Sequence, residues 1–185
     1  METEEEFRLL AKECRELFQR KLGDYGASWR LLRPSSLTDQ IFIKAKRIRT
    51  LETTDVNMVG EGIRPELIGI INYSIVGLIQ LEKGYSDEVD MSVEEAMGEY
   101  DKYMEEAIQL MKRKNHDYGE AWRGMRCSSY TDLILTKLNR TKQIENHEGK
   151  TDVSEGIDAN YFDMLNYAMF YLIKMLENES KENNL

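Results

Sequence analysis

With 185 residues, 32% of them charged, 41% hydrophobic and only two prolines, the chain is suited to amphipathic helices and excludes a disordered polymer or a turn-rich β-sandwich. A formal net charge of −9 opposes binding to duplex nucleic acid, which needs an electropositive surface; a small nucleotide on a local basic cluster is still allowed. Cys14 and Cys127 occupy non-equivalent places, so neither a disulfide framework nor a cysteine metal cluster is expected, and a reducing cytoplasm is the simplest compartment.

The chain opens on METEEEF, which lacks a basic segment followed by an apolar one and so does not read as a secretory signal. Helical spacing predicts a first helix over about 3–21, followed by a loop carrying Asp24-Tyr25-Gly26 and Trp29. A second helix is predicted over about 38–52, entered through the capping pair Ser36/Asp39. A polar loop leads to a third over about 64–82, with Pro65 in its first turn, where a missing N–H costs little. Its apolar run, Leu67 to Leu81, spans 15 residues, short of the ~20 that cross a bilayer, and contains Asn72 and Gln80, so a buried helix is expected and no membrane. A linker, Gly84 to Asp90, follows.

The same order then recurs, with helices predicted over about 93–114, 131–146 and 155–178. Ser92/Glu95 forms a capping box before the first of these, and Ser129/Asp132 repeats the second capping pair. At an offset of 93, residues 20–47 and 113–140 share 15 of 28 identities, against roughly two by chance. At an offset of 94, residues 59–79 and 153–173 share 8 of 21. The expected fold is therefore all-α: two tandem three-helix repeats, 1–90 and 91–185, packed as a pseudo-two-fold bundle. Such a covalent pseudo-dimer leaves further homo-oligomerisation open.

Three groups of residues could carry chemistry. Asp24, Tyr25, Gly26, Trp29, Arg30 and Arg33 recur as Asp117, Tyr118, Gly119, Trp122, Arg123 and Arg126. Aromatic faces and guanidinium donors suit a nucleobase and its phosphates; the alternative is a glycine turn with its aromatic rings in the core. Lys44 and Arg47, repeated as Lys137 and Arg140, share one helix face and could hold phosphates, or could instead lie along the core or pair with Asp39 and Asp132. In the last helix Ile157, Tyr161, Met164, Leu165, Ala168 and Leu172 form a core stripe, while Asn160, Asp163, Asn166 and Tyr167 lie on the other side.

Carboxylates matter because Mg²⁺ takes hard oxygen ligands beside substrate phosphate. The candidates are Glu61 and its counterpart Glu155, Asp158, Asp163, and Glu13/Glu16 or Glu105/Glu106 on the first helices. Asp163 is favoured, and its counterpart Gly69, with Gly77 two turns later, reads as close helix packing. His116 and His147 fit no metal motif and read as surface residues.

DYGxxWR, KLNRTKQIE and EGIDANYFDMLNYA resemble the nucleotide modification associated domain type one family, a bacterial and phage family of unknown function with a duplicated form. The third-helix pattern is more distantly similar to all-α NTP pyrophosphohydrolases of the MazG-like group. That similarity implies a Mg²⁺-dependent helical enzyme, with Glu155, Asp158 and Asp163 as acidic positions, Glu106 as a further metal ligand, and Lys137 and Arg140 facing phosphate. The pyrophosphohydrolase pattern Glu-Glu-x-x-Glu is broken here at Gln109. Three functions follow as alternatives: a triphosphate-splitting enzyme, a non-catalytic nucleotide-binding or regulatory protein, and a purely structural bundle.

Overall fold

The computed structural model describes residues 2–54 and 62–182. Six helices follow in chain order: α1 (Thr3–Tyr25), α2 (Pro34–Thr53), α3 (Ile63–Lys83), α4 (Val93–Tyr118), α5 (Cys127–Asn146) and α6 (Ile157–Glu182). Single 3₁₀ turns, Ser28–Leu31 and Ala121–Gly124, stand between α1 and α2 and between α4 and α5. No strand occurs among the described residues, and no described helix is long and apolar enough to cross a membrane.

The helix ends differ from the sequence-based expectation for local reasons. α1 and α4 run on through Asp24-Tyr25 and Asp117-Tyr118, so these pairs are last-turn residues and not loop. Gly26 and Gly119 then take φ of +68° and +65°, a conformation in which a side chain would be strained, and this stops each helix. α2 begins at Pro34, whose ring presets the helical φ and whose absent N–H is not needed in the first turn. The Ser36/Asp39 and Ser129/Asp132 pairs therefore lie inside α2 and α5 and are not caps. Asp132 instead meets Arg49 at 2.6 Å and Asp39 meets Lys142 at 3.6 Å, tying α2 to α5. The Ser92/Glu95 capping box forms as expected, with both reciprocal bonds made.

Each helix packs against its own counterpart, α3 on α6, α2 on α5 and α1 on α4, as an approximate two-fold axis requires. Within a repeat, α2 covers α3 and α5 covers α6; across repeats, α1 reaches α6 and α4 reaches α3. α3 and α6 are thus surrounded, which is why α3 is buried almost continuously from Leu67 to Gln80. Tyr161, Met164, Leu165, Ala168 and Leu172 of the expected stripe are fully buried, and Ile157, at the start of α6, is half-buried. One contiguous apolar core joins residues of all six helices.

Gly77 serves the close approach expected of it: a Cβ there would stand 2.8 Å from the Tyr161 ring. Tyr161 fills that notch, and its hydroxyl reaches Thr38 at 2.8 Å and the Pro34 carbonyl at 3.0 Å. Gly77→Ala is expected to destabilise the protein in urea unfolding. Overpacking against a fixed ring costs about 1–3 kcal/mol, more than the roughly 1 kcal/mol that alanine gains over glycine within a helix. A more stable variant would show that this contact is loose.

Candidate functional site

Trp29, Trp122, Arg30 and Arg123 are built into the scaffold, whereas Arg33 and Arg126 are exposed. Trp29 and Trp122 are 8% and 7% exposed, each carried inward by its 3₁₀ turn. Arg30, expected to meet a ligand, is buried. Its guanidinium donates to Asp90 at 2.9 Å, to the Gly84 carbonyl at 2.6 Å and to Gln80, while its carbonyl accepts from Ser86 N–H at 2.8 Å. It clamps the linker between the repeats. Arg123 does a parallel job elsewhere: it binds Glu6 at 2.7 Å, Glu120 at 2.8 Å and Glu177, and lies 4.4 Å over the Trp122 ring, fastening the start of α1 to α6. Gln80, which the sequence marked only as a polar interruption, donates to the carbonyls of Trp29, Arg30 and Leu32; its counterpart Lys174 donates to that of Arg123.

What the first repeat leaves open is a pocket of about 350 Å³ between the end of α1, the 3₁₀ turn, α2 and α3. Trp29 and Phe18 form its inner apolar wall with Val76 and Leu32; Tyr25, which is 57% exposed, and Tyr73 also line it. Its charged lining residues are Lys21 and Lys44, with no carboxylate. Gly69 gives the space at the α3 wall, where Lys44 lies so close that a Cβ would meet its Cε at 2.6 Å. Gly69 thus makes room for a lysine, whereas helix packing is the role of Gly77. Lys44 and Arg47 both reach Glu66 on α3, at 3.4 and 2.8 Å, and Glu66 is buried.

In the second repeat the equivalent space is filled. Asp163 replaces Gly69, and its carboxylate bridges Lys114 and Lys137, the counterparts of Lys21 and Lys44, at 2.7 Å each. Burial raises its pKa, but the two ammonium donors outweigh that and hold it below the ordinary aspartate value. Phe170 replaces Val76 and stacks on Trp122 at 4.3 Å with 16° between the rings. Tyr118, 79% exposed, and Asp117 stand at the surface.

Asn166 and Asn72 show how one substitution alters a polar core. Asn72 donates to the Cys14 carbonyl at 3.2 Å and accepts from Tyr100 Oη at 2.8 Å. The counterpart of Tyr100 is Phe7, which has no hydroxyl, and neither polar atom of buried Asn166 has a partner among the described residues. Phe7→Tyr is expected to raise stability by about 1 kcal/mol, the worth of one added buried hydrogen bond. No gain in thermal or urea unfolding would mean that Asn166 is not reached.

A sequence profile matches the chain twice, over residues 21–81 and 114–175, and its family is described as nucleotide modification associated domain 1. The chain belongs to that family. No curated protein and no solved structure matches it. Both matched segments span the glycine turn, its tryptophan and the two helices that follow, so all polar residues of the first-repeat pocket lie within a nucleotide modification associated domain 1 unit.

The acidic residues of this family member, expected to share a Mg²⁺ centre, are dispersed. Asp163 is neutralised by two lysines. Glu155 lies before α6 on the wall of a broad groove of about 1020 Å³, which Lys137, Arg140, His147 and Asn160 also line, together with Glu148 and Asp152. Asp158 and Glu106 line a different groove with Glu82, itself 3.0 Å from Lys102. Glu13 is paired with Arg64, Glu105 with Arg8, and Glu61 lies outside the described residues. No group of three Asp, Glu, His or Cys residues among those described could hold a metal ion. Burial pushes the Cys14 thiol up to about 12, which removes it as a nucleophile.

Proposed function

We propose that the protein binds a small nucleotide in the first-repeat pocket and acts by binding and not by hydrolysis. The observation that carries this reading is a pocket walled by aromatic rings whose charged residues are two lysines and no carboxylate, in a chain of net charge −9. Aromatic faces offer stacking to a base, ammonium groups offer charge-assisted bonds to phosphate, and a volume of about 350 Å³ is in the range of small-ligand sites. The family description, which associates the domain with nucleotide modification, agrees with that chemistry. Lys137, Arg140 and Glu155 remain the residues through which a Mg²⁺-dependent pyrophosphohydrolase would have to work, and the scatter of carboxylates speaks against it.

Titration calorimetry with the four deoxynucleoside triphosphates tests the reading. Lys21 is exposed and forms no ion pair among the described residues, so Lys21→Ala is expected to leave the fold intact while weakening binding about tenfold or more, the worth of one charge-assisted hydrogen bond. Fluorescence should respond through Trp29, and Trp122→Phe should leave the response in place. Absence of binding to the whole panel would overturn the proposal, as would pyrophosphate release from any of them in the presence of Mg²⁺.

A further inference from the structure

The pocket has an internal reference, because the second repeat presents the same helix face with different occupants. Gly69, Asn72, Tyr73 and Val76 face the pocket from α3 at helical spacing, and Asp163, Asn166, Tyr167 and Phe170 hold the equivalent positions on α6. The two middle positions are identical in the repeats. The two end positions are small in the first repeat, and in the second they carry a carboxylate and an aromatic ring. That carboxylate lies between Lys114 and Lys137, and that ring stacks on Trp122.

We infer that Asp163 and Phe170 occupy, in the second repeat, the places that the anion and the base of a nucleoside polyphosphate take in the first, so that each chain binds one such ligand. This rests on the proposed nucleotide binding and adds the ligand's shape, its orientation and its number. The base stacks on Trp29 beside Val76, and an anionic group sits between Lys21 and Lys44, whose stem covers Gly69. Seven residues separate the two end positions, a rise of roughly 10 Å along a helix. In a monophosphate only the pentose stands between base and phosphate, which is a shorter reach. A phosphate further along a di- or triphosphate chain spans the distance, and the phosphate tail then runs past Asn72 and Tyr73.

The test transplants each occupant separately. Gly69→Asp copies the second repeat, and the group it displaces is the flexible end of Lys44, so the variant is expected to fold. In calorimetry the wild type should bind one deoxynucleoside triphosphate at least tenfold more tightly than the matching monophosphate. Gly69→Asp should collapse that preference to within about twofold and abolish binding of inorganic tripolyphosphate. Val76→Phe should abolish binding of the free nucleoside and leave tripolyphosphate binding unchanged. Asp163→Gly with Phe170→Val should raise the stoichiometry from one to two; the two first-repeat variants decide the matter should this one fail to fold. If the wild type binds no nucleotide, the proposed function falls and this inference with it. If the wild type binds and Gly69→Asp leaves the triphosphate preference unchanged, nucleotide binding stands and the assignment of the anion position is overturned.

Discussion

Replacing Arg30 with alanine is expected to cost about 3 kcal/mol, from one buried acceptor left unpaired, roughly 1–3 kcal/mol, and the lost packing of a buried side chain. Arg30 is 5% exposed and satisfies Gln80, which is fully buried, and the carbonyl of Gly84, an exposed residue just past the end of α3. Alanine would leave the buried Gln80 carbonyl oxygen unpaired beside a void the size of a guanidinium. Asp90, which faces solvent, would simply hydrate. Lysine should rescue only part of the loss, since a single ammonium cannot serve acceptors arranged around a planar fork. Urea unfolding would measure the change, and hydrogen exchange should show the linker Gly84 to Asp90 losing protection first. A loss below 1 kcal/mol would mean that the linker is held by other contacts.

Asp163→Ala is expected to cost about 2 kcal/mol at neutral pH, less than a fully buried pair because Lys114 is half exposed and can turn to water. Lys137 cannot do so easily, since its side chain is 15% exposed. The pH dependence follows from the carboxylate being held below its ordinary value in the folded state. Its contribution is complete above the unfolded-state pKa of aspartate, roughly 4, and is lost as pH falls through the lower folded-state value. Wild type and variant should therefore differ in urea at pH 7 and converge in strong acid. A catalytic carboxylate would behave differently: its removal would end turnover with little loss of stability. Equal stability of the two proteins at pH 7 would refute the structural role.

The duplication and the helices were legible because identities recur at a fixed offset and apolar residues recur at helical spacing. Asn160, Asp163 and Asn166 read as a polar face of α6 opposite its core stripe, and all three are buried. Lys114 and Lys137, which neutralise Asp163, come from α4 and α5, and no periodicity within α6 can announce them. Glu66 is unmarked in the sequence for a related reason: the first repeat places its buried carboxylate one turn before the position of Asp163, where the second has Asn160. Arg30 and Arg123 look interchangeable in sequence, but each is used by what happens to lie beside it, the linker in one case and the start of α1 in the other. In the sequence the second repeat is the better candidate for metal, because Asp158 and Asp163 face Arg64 and Gly69 in the first. The pocket of about 350 Å³ opens in the first repeat, where Gly69 and Val76 stand in place of Asp163 and Phe170, and the broad groove that Glu155 lines lies in the second. Whether a glycine means space or contact depends on its neighbour, as Gly69 and Gly77 illustrate.

The notch at Gly77 has a consequence for how the two halves relate. By the two-fold relation, Gly77 corresponds to Tyr171 and Tyr161 to Leu67. Two first repeats joined together would set Gly77 against Leu67 twice and leave paired hollows at the seam; two second repeats would drive Tyr171 into Tyr161. At this seam each half fits the other better than it would fit itself, so the contact is lopsided within one polypeptide, and the first half keeps a pocket where the second carries Asp163 and Phe170.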